Sequence, residues 1–273
     1  MVEYPETTGC QINMRPTYAT PAIVLRTRPF GESDKIVSFL TEDFGKVTGI
    51  AKGAMCSRRR FVNSLEPLAL VNLRFQDRRH NSLAFILTAE LLIGYRQLST
   101  SLERMSHAAY LVEITDGLIV EREENLGVYR HLRDSLRYLE EHGTSLRFLT
   151  SFELKLLRLV GYQPVLDTCK LCRKDYPNEV SCQWHFSLID GGILCDSCAG
   201  SRRETLPLGT RAVEVLTALQ AEADALPVSL SLPFSVIKEM RAVTQRFVQF
   251  HMDREIKSAA FLHQFSSAYF GAN

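Results

Sequence analysis

Four cysteines stand in two pairs of one form, Cys169-Leu-Lys-Cys172 and Cys195-Asp-Ser-Cys198, with 22 residues between the pairs. Two residues between cysteines let both thiolates of a pair reach one tetrahedral ion, and the intervening loop brings the second pair opposite the first. Four sulfur ligands fill the coordination sphere of zinc and leave no position for water, so the spacing predicts a structural Zn2+ site and not a hydrolytic one. The competing readings are four unligated core thiols and a thioredoxin-like redox pair; two knuckles without a βαβ context argue against the second. Cys10, Cys56 and Cys182 fall outside the pattern and read as free thiols, and His185, alone beside Trp184, reads as structural.

A second constellation is cationic. Arg26, Arg28, Lys46, Lys52, the run Arg58-Arg59-Arg60, and Arg74, Arg78 and Arg79 crowd the front of the chain. Residues 15–80 hold 12 Lys/Arg against 6 Asp/Glu, residues 81–168 hold 9 against 12, and residues 169–273 hold 11 of each, within a net charge of only +1. Charge divided in this way predicts a polyanion partner for the first domain, with a solvated basic surface as the alternative. The arginine run follows a loop carrying Gly53, where mobile cations can track a phosphate backbone without reading sequence. Three such contacts would contribute roughly 2 to the slope of log affinity against log salt on single strands, at about 0.7 each. Phe30 and Phe61 are candidates for base stacking, with core packing the alternative, and Phe75 lies on the apolar face of its strand and is set aside. Catalytic motifs are lacking. There is no Walker loop, GxGxxG, HExxH or GxSxG pattern, and Glu32 and Asp34 in Gly-Glu-Ser-Asp fit turn and capping roles. The residues therefore predict a non-enzyme without a small-molecule substrate.

The elements that must hold these groups change character along the chain. From Thr20 to about Glu90 the period is two: Ala69, Val71, Leu73 and Phe75 fall on one face, and Asn72, Arg74 and Gln76 on the other. Residues 77–81 read as a hairpin loop with a return strand after it, and the segments AIVLRT and KVTGIAKG supply two more strands. Between those two, SDKIVSFLTEDFG reads as a short amphipathic segment ended by Gly45. Several short strands in so few residues predict a small barrel.

After Leu98 the period becomes helical. Ala108, Leu111, Val112, Thr115, Leu118 and Ile119 make one apolar stripe. Asn125 is positioned to cap a second helix that stops at Gly143, and a third carries Leu149, Phe152, Leu156, Leu159 and Val160 before Gly161 and Pro164 end it. Residues 169–198 break the helical pattern, and helices resume near 208–222, 234–251 and 254–270. The fold class is thus α+β and multidomain: a barrel, then a helical bundle carrying a four-cysteine insert. The predicted division is a polar disordered tail at 1–15, a barrel at 16–90 and a helical domain at 91–273 containing the zinc loop 166–200.

Length and composition agree. The chain has 273 residues, 45% of them hydrophobic and 23% charged, which suits two modest domains. No run of about 18 apolar residues is present, so no segment is expected to span a membrane. The first residues lack the basic start and apolar stretch of a secretory signal, and a start at Met14 is a second possibility. Seven cysteines in such a chain fit reduced thiols in a cytoplasm.

Four blocks in order resemble the RecO recombination mediators of bacteria: AIVLRTRPFGESDKIVSFLTEDFGK, GIAKGAMCSRRRFVNSLEPL, FELKLLRLVGYQP, and LDTCKLC leading to GGILCDSCA. The resemblance covers about Ala19 to Ala199. It implies an oligonucleotide-binding (OB) barrel followed by a helical domain with a four-cysteine zinc site. It further implies a nucleoid-associated protein of recombinational DNA repair that binds single- and double-stranded DNA and anneals complementary strands. With the partner RecR, such a protein helps load the RecA recombinase onto strands coated by single-stranded DNA-binding protein (SSB). The residues matching the family's basic barrel loop are Lys52, Arg58, Arg59 and Arg60. Two departures stand out: Arg173 occupies the place after the first knuckle where many members have Gly, and Thr150-Ser151 precede Phe152 where many have Arg. Arg147 and Lys155 are the cations left to border a pocket for the SSB C-terminal tail, with exposed helix charges as the alternative. The other function classes open to these residues are a zinc-containing RNA- or DNA-binding protein of transcription or translation and, third, a hydrolase or transferase with a sparse site.

Overall fold

Val71, Leu73 and Phe75 are wholly buried while Arg74 between them is exposed, and that alternation runs through a strand of a closed barrel. The structure is a computed structural model that describes residues 16–77, 83–175, 183–221 and 232–262. Five strands, β1 (Thr17–Phe30), β2 (Asp34–Thr41), β3 (Lys46–Ala51), β4 (Leu70–Gln76) and β5 (Ala84–Ile93), close in the order β1-β2-β3-β5-β4. β1 is long enough to pair with β4 through its first half and with β2 through its second. A bulge between Val24 and Arg26 bends it from one partner to the other, which is how one strand serves both sides of a small barrel. Closure between β3 and β5 is parallel and brief, Gly49 opposite Ala84, and a side chain at Gly49 would meet the Ala84 carbonyl oxygen at 2.8 Å.

The segment read as amphipathic, residues 33–45, contains β2. Its apolar residues do not alternate with polar ones because both faces are covered. Val37 and Phe39 enter the barrel core, whereas Leu40 packs outward against the helices. The barrel's open end is filled by the connection from β3 to β4, which inserts Ala54, Phe61 and Leu65 into the core.

The main helices among the described residues are α1 (Leu102–Leu118), α2 (Leu126–His142), α3 (Leu146–Leu159), the single turn α4 (Asp196–Ala199), α5 (Thr210–Ala221) and α6 (Phe234–Phe250), and residues 257–262 are helical as well. Ser101, Asn125 and Ser145 cap the first three by accepting a backbone N–H in the first turn, and Gly143 with φ 83° ends α2. The single stripe read for α1 is too narrow. His107, Tyr110, Ile114 and Asp116 are buried as well, because α1 lies between the outer surface of the barrel and α2 and α3. Between α3 and α5 the chain forms a three-stranded sheet from β6 (Trp184–Ser187), β7 (Gly192–Cys195) and β8 (Leu206–Leu208), in the order β7-β6-β8. Its Trp184, Phe186, Ile193 and Leu194 join the same core as the helices, so the insert is part of the bundle's packing. Among the described residues no helix is long and apolar enough to cross a membrane.

Candidate functional site

The four cysteines of the two knuckles converge. Cys169, Cys172, Cys195 and Cys198 place their sulfurs within 4.8 Å of one another, with Cys172 Sγ and Cys195 Sγ 3.7 Å apart. Local backbone geometry explains the arrangement. The first knuckle is a turn in which the Arg173 N–H donates to the Cys169 carbonyl at 2.9 Å and the Cys169 N–H to the Lys174 carbonyl at 2.8 Å. It docks on β7 through the Lys170 N–H and the Ile193 carbonyl, also 2.8 Å. The second knuckle begins where β7 ends at Cys195 and turns into α4. Arg173 has φ 63°, the left-handed region that favours glycine, and its N–H is spent on a carbonyl. The cost of Arg at this place is therefore backbone strain, and not the loss of a donor to sulfur.

The electrostatics fit a cation at the centre. Burial alone would raise the Cys169 thiol, but backbone N–H groups of Cys172, Cys195 and Leu171 outweigh it and bring the thiol down to about 6. Burial raises Cys195, and the contact with the Cys195 sulfur is the main cause that pushes Cys198 up to about 12. Sulfurs this close cannot all ionise unless a positive ion sits between them. Four thiolates could hold such an ion and leave it no open position. His185 stands aside, its Nε2 3.3 Å from Asp196 Oδ1.

The cations of the first domain separate into three groups. The first gathers at one end of the barrel. The Gly53 N–H donates to Asp34 Oδ1 at 2.8 Å and the Met55 N–H to the Ser33 carbonyl at 2.9 Å, which ties the arginine loop to the turn between β1 and β2. Lys52, Arg58, Arg59 and Arg60 on the loop and Arg28 near the end of β1 are all exposed there. They are not equally mobile. Arg60 Nη2 donates to the Lys52 carbonyl at 2.6 Å and its guanidinium lies 5.0 Å over the Phe61 ring, so Arg60 folds back on the loop. Arg58 and Arg59 make no such contact among the described residues. Phe61 is 5% exposed and belongs to the barrel core, which removes it as a stacking platform, whereas Phe30 is 50% exposed beside the loop.

The second group is Arg74, exposed on the outer face of β4 opposite Ala19 and Thr88. The loop reaches the neighbouring strand, where the Ala89 N–H, next to Thr88, donates to the Arg60 carbonyl at 3.1 Å, so Arg74 stands one strand away from the end of the arginine run. Arg78 and Arg79 lie outside the described residues. The third group faces the helices. Lys46 is paired with Asp116 of α1 at 2.7 Å and also donates to the Asp116 carbonyl at 2.8 Å, and Arg26 Nε lies 3.9 Å from the same carboxylate. Burial raises the Asp116 carboxyl, but hydrogen bonds from Lys46 and Arg254 more than compensate and hold it below the usual carboxylate range. Sequence reasoning missed Asp116, whose one signal is that it is one of two acids, with Glu113, inside the otherwise apolar run LVEITDGLIV.

Arg147 and Lys155 stand apart on α3. Arg147, in the first turn of α3, lines a groove with Arg211, Val215, Ala218, Leu219, Leu232 and Glu214, which pairs with Arg211 at 2.9 Å. Lys155 is eight residues further along the helix, about 12 Å, near His131.

Comparison with known proteins follows the same division. The family model described as "Recombination protein O N terminal" matches residues 14–95, and "Recombination protein O C terminal" matches residues 99–260. The DNA repair protein RecO of Syntrophus aciditrophicus is 31% identical over 256 residues, covering 93% of this chain and 98% of the relative. That of Caldanaerobacter subterraneus subsp. tengcongensis is 31% identical over 251 residues, covering 90% and 98%. That of Anaeromyxobacter sp. (strain Fw109-5) is 32% identical over 243 residues, covering 89% and 94%.

Proposed function

The chain belongs to the RecO family, and from that premise we propose that this DNA repair protein works without making or breaking a bond. It binds single- and double-stranded DNA through its barrel and anneals complementary strands. With RecR it helps RecA load onto SSB-coated strands. The observation that carries the reading is the grouping of Arg28, Lys52, Arg58 and Arg59 at one exposed end of the barrel beside Phe30. Two DNA strands repel, and cations that contact phosphates without reading bases lower that repulsion while the bases find register. An exposed aromatic beside them offers a stacking face to any base. Arg60 serves by shaping the loop, and Arg74, one strand away, is a secondary contact.

The four-cysteine centre is assigned to zinc. A Zn–S bond of about 2.3 Å in a tetrahedron puts sulfurs about 3.8 Å apart, and Cys172 and Cys195 stand at 3.7 Å. Cys169, Cys172, Cys195 and Cys198 would hold the ion, which supplies cross-linking of the two knuckles and no chemistry. The SSB tail, taken as an acidic peptide ending in a hydrophobic residue, is assigned to the groove where Arg147 and Arg211, the latter paired with Glu214, border apolar Val215 and Leu219.

Annealing of complementary labelled oligonucleotides, bare and SSB-coated, tests the reading. Acceleration of annealing on both substrates is expected. A protein that binds strands yet leaves their annealing rate at the spontaneous value would sink it and favour a zinc protein that reads RNA or DNA for another purpose.

A further inference from the structure

At the seam between barrel and helices one carboxylate serves three cations. Asp116, whose side chain is 3% exposed, takes Lys46 Nζ at 2.7 Å, Arg254 Nη2 at 2.6 Å and Arg26 Nε at 3.9 Å. The three differ in what they have left to offer. Lys46 is 13% exposed and is committed to the Asp116 carboxylate and carbonyl. Arg26 and Arg254 keep 55% and 39% of their side chains exposed. A guanidinium carries five N–H donors, and Asp116 uses only part of each set. Both arginines address the same oxygen, Oδ2, so two half-exposed planar cations are held side by side across the seam.

The surroundings identify the anion that fits. Arg26 follows the β1 bulge, and Arg28 lies two residues further along the strand, about 7 Å away on the same face. A row of guanidiniums at such spacing continues from the loop end of the barrel through Arg28 and Arg26 to Arg254. Planar forks in a row suit the repeated phosphates of a nucleic-acid backbone. Asp253 and Glu255 flank Arg254 and are exposed. They weaken the field at the seam, so a lone phosphate would bind poorly there and a strand already held on the barrel would bind well.

We infer that Arg254 and Arg26 form a phosphate-binding site at the domain seam, where a nucleic-acid strand bound on the barrel crosses onto the C-terminal part of the chain. This rests on the nucleic-acid reading proposed above. Asp116 is a positioning residue: it holds the Arg254 guanidinium by a hydrogen bond at 2.6 Å and draws Arg26 towards it by charge at 3.9 Å, and so reduces the ordering cost of contact. The site depends on tertiary structure alone, since Arg254 stands 138 residues from Asp116 in sequence.

The test is a salt titration of binding to a fluorescently labelled single-stranded oligonucleotide, using the full chain. Arg254→Gln should make the slope of log affinity against log salt shallower by about 0.7, the value of one phosphate contact. Arg254→Lys keeps a cation near Asp116 and should hold the wild-type slope. Arg26→Gln, more exposed and so safer for folding, should act like Arg254→Gln. Melting temperatures are read in parallel. If Arg254→Gln and Arg26→Gln both keep the wild-type slope, whatever happens to melting, the cluster only ties the domains together and the inference falls. Wild-type protein that does not bind the oligonucleotide would instead remove the reading on which it rests.

Discussion

Replacing Arg58 and Arg59 with alanine separates the two arginines that stand unheld on the loop from Arg60, which is folded back on it. Three equal contacts would contribute roughly 2 to the salt slope on single strands. The geometry reduces that figure, because Arg60 is held by the Lys52 carbonyl at 2.6 Å and by the Phe61 ring at 5.0 Å. Two free contacts give about 1.4, so between 50 and 200 mM salt the wild type should lose roughly 7-fold more affinity than the double variant. Arg60→Ala should leave the slope alone and lower stability by on the order of 1 kcal/mol, since it removes an exposed hydrogen bond and a cation–π contact. Fluorescence anisotropy across a salt series gives the slopes, and thermal melting gives the stability. Annealing should slow in the double variant and not in Arg60→Ala. If Arg60→Ala alters the slope as much as the double change, or if the double change leaves it untouched, the loop is not divided as described. The phosphate contacts would then be sought first around Arg74.

Other outcomes are expected. Purified protein should carry about one zinc per chain, and Cys195→Ser or chelation should lower the melting temperature and expose residues 165–199 to hydrogen exchange first; metal analysis that finds none, with melting indifferent to chelator, would refute the site. Arg173→Gly relieves a left-handed backbone position and should stabilise the knuckle by about 1 kcal/mol, read as slower zinc loss to a competing chelator. Arg147→Glu and Arg211→Glu should weaken binding of an acidic SSB-tail peptide while Lys155→Glu does not; equal affinity for all three would empty the groove of that role. His131 is stacked on Phe152 with ring centroids 4.5 Å apart, and burial lowers its pKa from 6.5 to about 4. The unfolded chain then binds the proton more readily, so stability should fall as pH drops from 6.5 towards 4, by about 3 kcal/mol in all. His131→Gln should flatten that part of the profile, and an unchanged profile would mean another group is responsible.

Burial also explains which charges in the helical region are structural. Glu153 on α3 is fully buried and is met by Arg241 of α6 and by the Tyr110 hydroxyl of α1, with the Arg241 guanidinium 5.8 Å over the Tyr110 ring. The pair joins three helices at one point. Neither partner can be removed alone without stranding a buried charge, so none of these residues is available to a ligand.

What the sequence determined by itself are the features whose physics is local. Two residues between cysteines bring both thiolates of a knuckle to one point whatever surrounds them, so the clustering of the four cysteines was legible. The side-chain period of two made β4 readable, and Asn125 and Gly143 marked the ends of α2 because capping involves only the adjacent turn. Where an element is covered on both sides the period disappears: β2 lost its alternation between barrel core and helices, and α1 outgrew its stripe between barrel and bundle. The fate of each cation was likewise a tertiary matter. Nothing near Lys46 distinguishes it from Lys52 in sequence, yet Asp116, 70 residues away, takes the first and leaves the second in solvent. Phe30 and Phe61 flank the same loop as equal candidates, and only closure of the barrel end decided that one is core and the other surface. Arg254 gave no signal at all, because its neighbours across the seam are set by how the two domains meet, and a charge acquires its role from the partner that folding places beside it.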